Sequence, residues 1–309
     1  MEFQHQPVLL QECIEGLKIK KDGIYVDGTL GGAGHSQKIL ENLSKQGRLI
    51  GIDRDLEAIA AAKKRLKDYQ NVTYVHGNHD EMDTILTNLG IDKVDGILLD
   101  LGVSSYQLDE KNRGFSYLGE NQLDMRMDQT QTLSAKEVVN EYAEDRLADI
   151  LWEYGEERFS KRIAKNICEK RKQKQITTTK ELVEIIEASI PKAMQKEGHP
   201  AKRTFQAIRI EVNDELKPLK ETVWKCIRAL KPGGRLCIIT FHSLEDRMVK
   251  NAYKEAEGHC SCPKDLPYCV CGAVSFGKII NKKPIIANEE EMKQNTRSKS
   301  AKLRIFERK

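Results

Sequence analysis

Short runs of apolar and β-branched residues recur early in the chain, each bounded by glycine or an acid. They are Ile24–Asp27, Leu49–Asp53, Val72–His76 and Gly96–Asp100, with a fifth, Arg235–Phe241, far downstream. Between the first four lie stretches of helical period, such as Leu56–Leu66, where Ile59, Ala62 and Leu66 recur on one face. Continuous apolar strands alternating with helices predict a parallel sheet covered on both faces. The next segments read as helices: Ser134–Tyr142, Arg158–Lys172 and Thr179–Ile190. TTTKELVE supplies an N-cap threonine ahead of its acids. A stretch of about a hundred residues without a strand is too long for a loop. The pattern therefore predicts a helical domain at 110–205 inserted into an α/β domain made of 1–109 and 206–309. Ala301–Glu307 alternates as a closing strand, and no internal repeat is evident.

Composition changes this picture little. Charged residues make up 32% of the 309 and apolar residues 39%, a soluble balance. No apolar run approaches the ~20 residues that span a bilayer. MEFQHQPVLLQEC lacks the basic-then-apolar pattern of a secretory signal, so a cytosolic protein without membrane association is expected. The net charge of +4 is too small to argue nucleic-acid binding, but its distribution is uneven. Arg158–Lys174 holds eight basic residues and one acid, Glu169, and Lys293–Lys309 holds seven and one, Glu307. Charge runs alone read as solvated faces. They gain meaning only against a polyanion, and then Arg158, Arg162 and Lys165, spaced by four and three, are the candidate phosphate contacts. Eight cysteines without a signal peptide do not suggest a disulfide framework. Four of them cluster in CSCPKDLPYCVC (Cys260, Cys262, Cys269 and Cys271), but structural zinc more often uses pairs with wider spacing. Metal binding stays open there.

Candidate chemistry starts at the turn after the first strand, IYVDGTLGGAGHS. Glycines at 28, 31, 32 and 34 let the backbone pass close to a ligand. The second strand ends in GIDRD, which sets Asp53 where an acid accepts from ribose hydroxyls. Both a nicotinamide dinucleotide and S-adenosylmethionine suit such a site. The G-x-x-G-G-x-G spacing lacks the geometry that brings a helix N-terminus to a pyrophosphate, and LKPGGRL before the fifth strand is typical of Rossmann-like methyltransferases. Methyl transfer is favoured. Ligands sit at the carboxyl ends of the strands in such sheets, which puts Asp100 of LLDLGVSS over the cofactor. Methylation of a pyrimidine at carbon five needs a cysteine nucleophile, and no cysteine lies between Cys13 and Cys168. An exocyclic amine needs only acceptors and alignment, and Asp100 suits that role.

Ten ordered segments carry a resemblance beyond this: HQPVLLQE, DGTLGGAGHS, IDRD, LLDLGVSSYQLD, RGFSY, LDMRMD, YGEER, RTFQAIRIEVNDEL, FHSLEDRMVK and RSKSAKLR. Together, from His5 to Arg304, they resemble the RsmH (MraW) family. The resemblance implies a Rossmann-like class I methyltransferase sheet with an inserted all-helical domain, and transfer from S-adenosylmethionine to the N4 amine of a cytidine in the decoding region of small-subunit ribosomal RNA. It implies cofactor contacts at Ala33, Gly34, His35, Asp53, Asp100 and Gln107. After the third strand the family usually carries an aromatic residue; this chain has His79 in HGNHDE, whose imidazole can still stack on adenine, so His79 joins the expected cofactor contacts. Phe241 of FHSLEDR is either a stacking surface for the target base or core, and Asn213 beyond RTFQAIRIEV is a further candidate near the site. The implied partner is small-subunit ribosomal RNA or the assembling small subunit. The alternative is a non-catalytic RNA-binding or ribosome-assembly protein, which would have no need of the loop, Asp53 and Asp100.

Overall fold

The computed structural model of the chain describes residues 7–104, 107–108, 110–195, 198–258, 262–263, 266, 268, 272 and 274–309. They form two compact units, one reaching Gly102 and resuming at Leu216, the other running from Val103 to Glu215.

The first unit is built on seven strands: β1 (Ile24–Asp27), β2 (Arg48–Asp53), β3 (Val72–His76), β4 (Val94–Asp100), β5 (Leu230–Thr240), β6 (Gly277–Ile279) and β7 (Lys302–Arg308). Their order is β3-β2-β1-β4-β5-β7-β6. β1 to β5 are parallel, and β7 pairs antiparallel with both β5 and β6. Both faces are covered, which is why the central strands are apolar throughout. Tyr25, Leu49, Leu98 and Cys237 join a core with helices Leu10–Leu17, Gly34–Asn42 and Leu56–Arg65. Alternation sends Val26, Ile50, Ile97 and Ile238, also fully buried, to the opposite face, where helices Leu219–Ala229 and Ser243–Glu257 pack. Each such side chain stabilises the fold by roughly 1.5–3 kcal/mol.

Two details differ from the sequence pattern. The turn expected before β5 lies inside that strand as a bulge: pairing steps from Val94–Leu230 to Gly96–Arg235, leaving Lys231 to Gly234 unpaired. Lys231 and Lys20 hold it by reaching Asp95, at 2.7 and 3.1 Å. The three-residue β6 was not expected. It is too short to show a period, and its place is set by pairing with β7.

The second unit packs helices Ala135–Glu141, Glu144–Glu153, Ser160–Arg171, Thr179–Ser189 and Lys202–Asn213 around their apolar faces. Thr178 caps its helix as the sequence suggests, accepting from Glu181 N while Glu181 accepts from Thr178 N. This unit is wider than the expected 110–205. Phe205, Ala207, Ile208 and Val212 bury themselves in its core, so the RTFQAIRIEVN helix belongs to it. Arg158 lies in a turn before helix Ser160–Arg171, so it does not share a helical face with Arg162 and Lys165, although all three are exposed. Arg171 is structural, donating to the carbonyls of Val139 and Tyr142.

Asn213 closes the last of these helices and clamps the LDMRMD segment. Its Oδ1 accepts from Met127 N at 2.7 Å and its Nδ2 donates to Met125 O at 2.8 Å. Met125 sits in the left-handed region at φ 60°, a conformation a side chain bears only when held. Asn213→Ala should leave a buried donor and acceptor unpaired and cost about 1–3 kcal/mol. Urea denaturation followed by circular dichroism checks this, and an unchanged midpoint would refute the clamp.

Candidate cofactor site at the carboxyl ends of the strands

The sheet register assembles the site. Asp27 is level with Gly51 of β2 and Leu98 of β4, so Asp53 and Asp100 each lie two residues further along. The glycine-rich turn fills the space between them. Gly28 N donates to Leu98 O at 2.9 Å and Leu30 N to Ile52 O at 3.0 Å, tying the turn to both neighbouring strands. Gly51 makes room for it, because a Cβ there would stand 2.7 Å from Leu30 Cδ1. Ala33 adopts φ 57° and ends the turn at the head of helix Gly34–Asn42. Gly34 is covered by Pro7, which a Cβ would strike at 2.2 Å.

Three carboxylates face this turn in different surroundings. Asp27 is buried, and accepts from Ser36 Oγ at 2.6 Å and Thr29 N at 3.2 Å; burial outweighs those donors and raises its pKa. Asp53 accepts from Gly31 N at 2.7 Å and Asp55 N at 2.9 Å, and burial pushes it up to about 6. Asp100 is held through its backbone, its N donating to Thr29 Oγ1 at 2.6 Å. Its Oδ1 is buried with no hydrogen-bond partner among the described residues. Burial pushes this carboxyl up to about 8, with the charges of Asp27 and Glu245 acting the same way.

His35 is buried, its Nε2 lying 3.0 Å from Val8 O and its Nδ1 3.7 Å from Asp100 Oδ2. Burial lowers its pKa to about 4. His79 begins a short 3-10 helix after β3, and among the described residues neither its buried Nδ1 nor the neighbouring Asn78 Oδ1 has a hydrogen-bond partner. Its pKa falls to about 3, through burial first and then the charge of Arg54. Phe241 follows β5, half-buried against the same core as the turn, and its ring lies 3.5 Å from where a Cβ on Gly102 would stand. Its N donates to Glu245 Oε2 at 2.9 Å, and His242 with Glu245 caps helix Ser243–Glu257.

Ala33, Gly34, His35, Asp53, His79 and Asp100 thus gather at one end of the first unit's sheet. Gln107 belongs to the second unit, where its Oε1 accepts from Ser104 N at 3.1 Å. Asn213 also lies in the second unit, engaged as the clamp described above. Cys260, Cys269 and Cys271 fall outside the described residues. Sequence reasoning passed over Asp27, Thr29, Ser36, Asn78 and Glu245. Asp27 and Thr29 flank the first glycine of the turn, a signal that was available, whereas Glu245 is brought in by a helix cap. No helix among the described residues is long and apolar enough to cross a membrane.

The model of the MraW methylase family matches residues 2–309. Ribosomal RNA small subunit methyltransferase H of Lachnospira eligens is 59% identical over 310 residues, covering 100% of this chain and 98% of its own length. The protein of the same name from Clostridium botulinum strain Kyoto is 60% identical over 305 residues, covering 99% of each. With the match running through the turn and all three acids, the chain belongs to the MraW methylase family of S-adenosylmethionine-dependent methyltransferases.

Proposed function

We propose that the protein methylates the exocyclic N4 amine of a cytidine in the decoding region of small-subunit ribosomal RNA. The reading is carried by Asp100 at the end of β4, whose Oδ1 is buried without a hydrogen-bond partner among the described residues. The names of the relatives support ribosomal RNA as the substrate.

The residues present fit the cofactor. Asp53 offers acceptors for the ribose hydroxyls, and the buried unpartnered atoms Asn78 Oδ1 and His79 Nδ1 stand one strand away to meet the adenine. The backbone of Ala33, Gly34 and His35 lines the approach, with Asp100 beside it. S-adenosylmethionine supplies an electrophilic methyl group on a positively charged sulfur, and transfer to an amine leaves a neutral thioether and a proton. Asp100 performs the chain's part of that chemistry. Its carboxylate accepts a hydrogen bond from the amine, aligns the nitrogen lone pair with the methyl group and takes the proton the nitrogen loses. Phe241, partly exposed beside Gly102, offers the base a stacking surface. Gln107 is proposed to complete the cofactor contacts, and the second unit to hold the RNA.

The test is to incubate unmodified small-subunit RNA or particles with the protein and labelled cofactor, then digest to nucleosides. N4-methylcytidine is expected, and label in any other nucleoside refutes the reading. Asp100→Asn should cut the single-turnover rate at saturating cofactor by about 100-fold or more, the scale of a lost proton acceptor, while RNA affinity stays unchanged. A near-parental rate would remove Asp100 from the chemistry.

Asp53→Ala should weaken cofactor binding by about 1–3 kcal/mol with the fold intact, because ribose hydroxyls lose their acceptor. Titration calorimetry reads this directly, and equal affinity would take Asp53 out of the site.

Replacing Arg158, Arg162 and Lys165 with glutamine should weaken RNA binding and flatten its dependence on salt, since each phosphate contact contributes to that slope. Cofactor affinity should not move. A purely solubilising surface would leave both titrations as they were.

A further inference from the structure

We propose that Asp100 carries a proton in the cofactor-free protein and releases it when a sulfonium arrives, so that the site tells the charged methyl donor from its neutral thioether product. The inference rests on the placement of Asp100 proposed above.

Its geometric basis is the set of groups facing this carboxyl. Val8 O can only accept, so at 3.0 Å His35 Nε2 carries a proton, and burial, which lowers the pKa of this ring to about 4, leaves Nδ1 without one. That leaves the bare lone pair of Nδ1 turned toward Asp100 Oδ2 at 3.7 Å. From β1 comes the buried carboxylate of Asp27, and from helix Ser243–Glu257 that of Glu245; both disfavour a second negative charge. The thiol of Cys13, on helix Leu10–Leu17, also feels Asp100 and is itself held well above its usual pKa by burial. Of the two neighbouring aspartates, Asp27 is engaged by Ser36 Oγ and Thr29 N, whereas Asp100 Oδ1 has no hydrogen-bond partner among the described residues. The proton therefore settles on Asp100. The rise of this carboxyl to about 8 and the fall of His35 to about 4 agree with that assignment.

A positive charge brought against this cluster reverses the balance, because it stabilises the carboxylate that Asp27 and Glu245 destabilise. The O–H bond of Asp100 breaks, its electrons stay on the carboxylate, and the proton passes to solvent. After methyl transfer the stabilising charge is gone and the amine has lost a proton. Asp100 recovers its affinity for a proton in the same step that produces one. The thioether is then left beside a neutral carboxyl, with no charge attraction to retain it.

The test is calorimetry on the unmodified protein at pH 7 in buffers of different ionisation enthalpy, with S-adenosylmethionine and S-adenosylhomocysteine as the two probes. Close to one more proton should be released with the first than with the second. Affinity for the sulfonium should rise by up to about tenfold per pH unit below pH 8, more steeply than for the thioether. Asp53 also titrates near this range, but it would meet the same ribose in both ligands and cancels in the comparison. The ligand amine titrates as well, and Asp100→Asn keeps that contribution while losing the extra proton and much of the preference for the sulfonium. Equal proton release for both ligands in the unmodified protein overturns the inference, whether or not the variant folds. If Asp100→Asn still weakens sulfonium binding in that case, the placement of Asp100 survives. If the variant binds both ligands like the parent, the placement falls and the inference with it.

Discussion

Parallel pairing of β1 with β2 on one side and β4 on the other sets where each polar group at the site stands. Asp27 ends its strand level with Gly51 and Leu98, so the two outer strands overshoot it by two residues. At about 3.3 Å per residue that leaves a step some 6–7 Å deep, and the glycine-rich turn descends into it. Thr29 Oγ1 meets Asp100 N on one wall, and Gly31 N meets Asp53 Oδ2 on the other. A slip of one residue in either pairing would turn Asp53 or Asp100 to the opposite face of the sheet. The apolar burial that fixes the register is therefore what aims the acids.

Within that frame, neighbouring carboxyls are separated by their partners rather than by their type. Asp27 and Asp53 each accept from two donors, and Asp100 from none with its Oδ1. Three acids of one chemistry thus stand in three environments: Asp27 anchors the turn, Asp53 keeps two backbone donors, and Asp100 leaves one oxygen unpaired among the described residues. Divergent environments of this kind mark division of labour between carboxylates. Among the described residues, the first unit's other buried atoms without a hydrogen-bond partner are Asn78 Oδ1 and His79 Nδ1 after β3 and His242 Nε2 after β5. Elsewhere in the sheet, polar groups such as Asp95 are held by two lysines and a backbone N–H.

Much of this was legible in the sequence because interior parallel strands are uninterrupted apolar runs, and each ends at a chemically distinctive residue. β1 and β3 keep the limits the pattern suggests, while β4 and β5 begin earlier because Val94 and Leu230 pair before the strand proper. Position along the sheet tip, hence Asp53 and Asp100, followed from strand ends alone. What escaped depends on tertiary contact. β6 exists through β7, Glu245 reaches Phe241 N through a cap, and Asn213 closes a helix rather than extending past it. The limits of the inserted segment were misjudged for a related reason. The helix Lys202–Asn213 is amphipathic either way, and only its buried partners say which core it serves.

The unpartnered atoms also bear on stability. A buried polar atom left unpaired costs roughly 1–3 kcal/mol, a large share of the 5–15 kcal/mol that holds a domain together. The first unit carries such atoms on Asn78, His79 and Asp100 at the sheet tip. The supports beneath them are packed: β4 is buried from Val94 to Leu99, His35 is fixed to Val8 O, and Pro7 sits over Gly34. Under the proposed function, the cost is kept in the free protein and recovered when the cofactor supplies the partners. At this tip local rules of polar satisfaction fail beside a glycine-rich turn and three acids, and that combination, more than the glycine turn alone, is what the proposed binding site rests on.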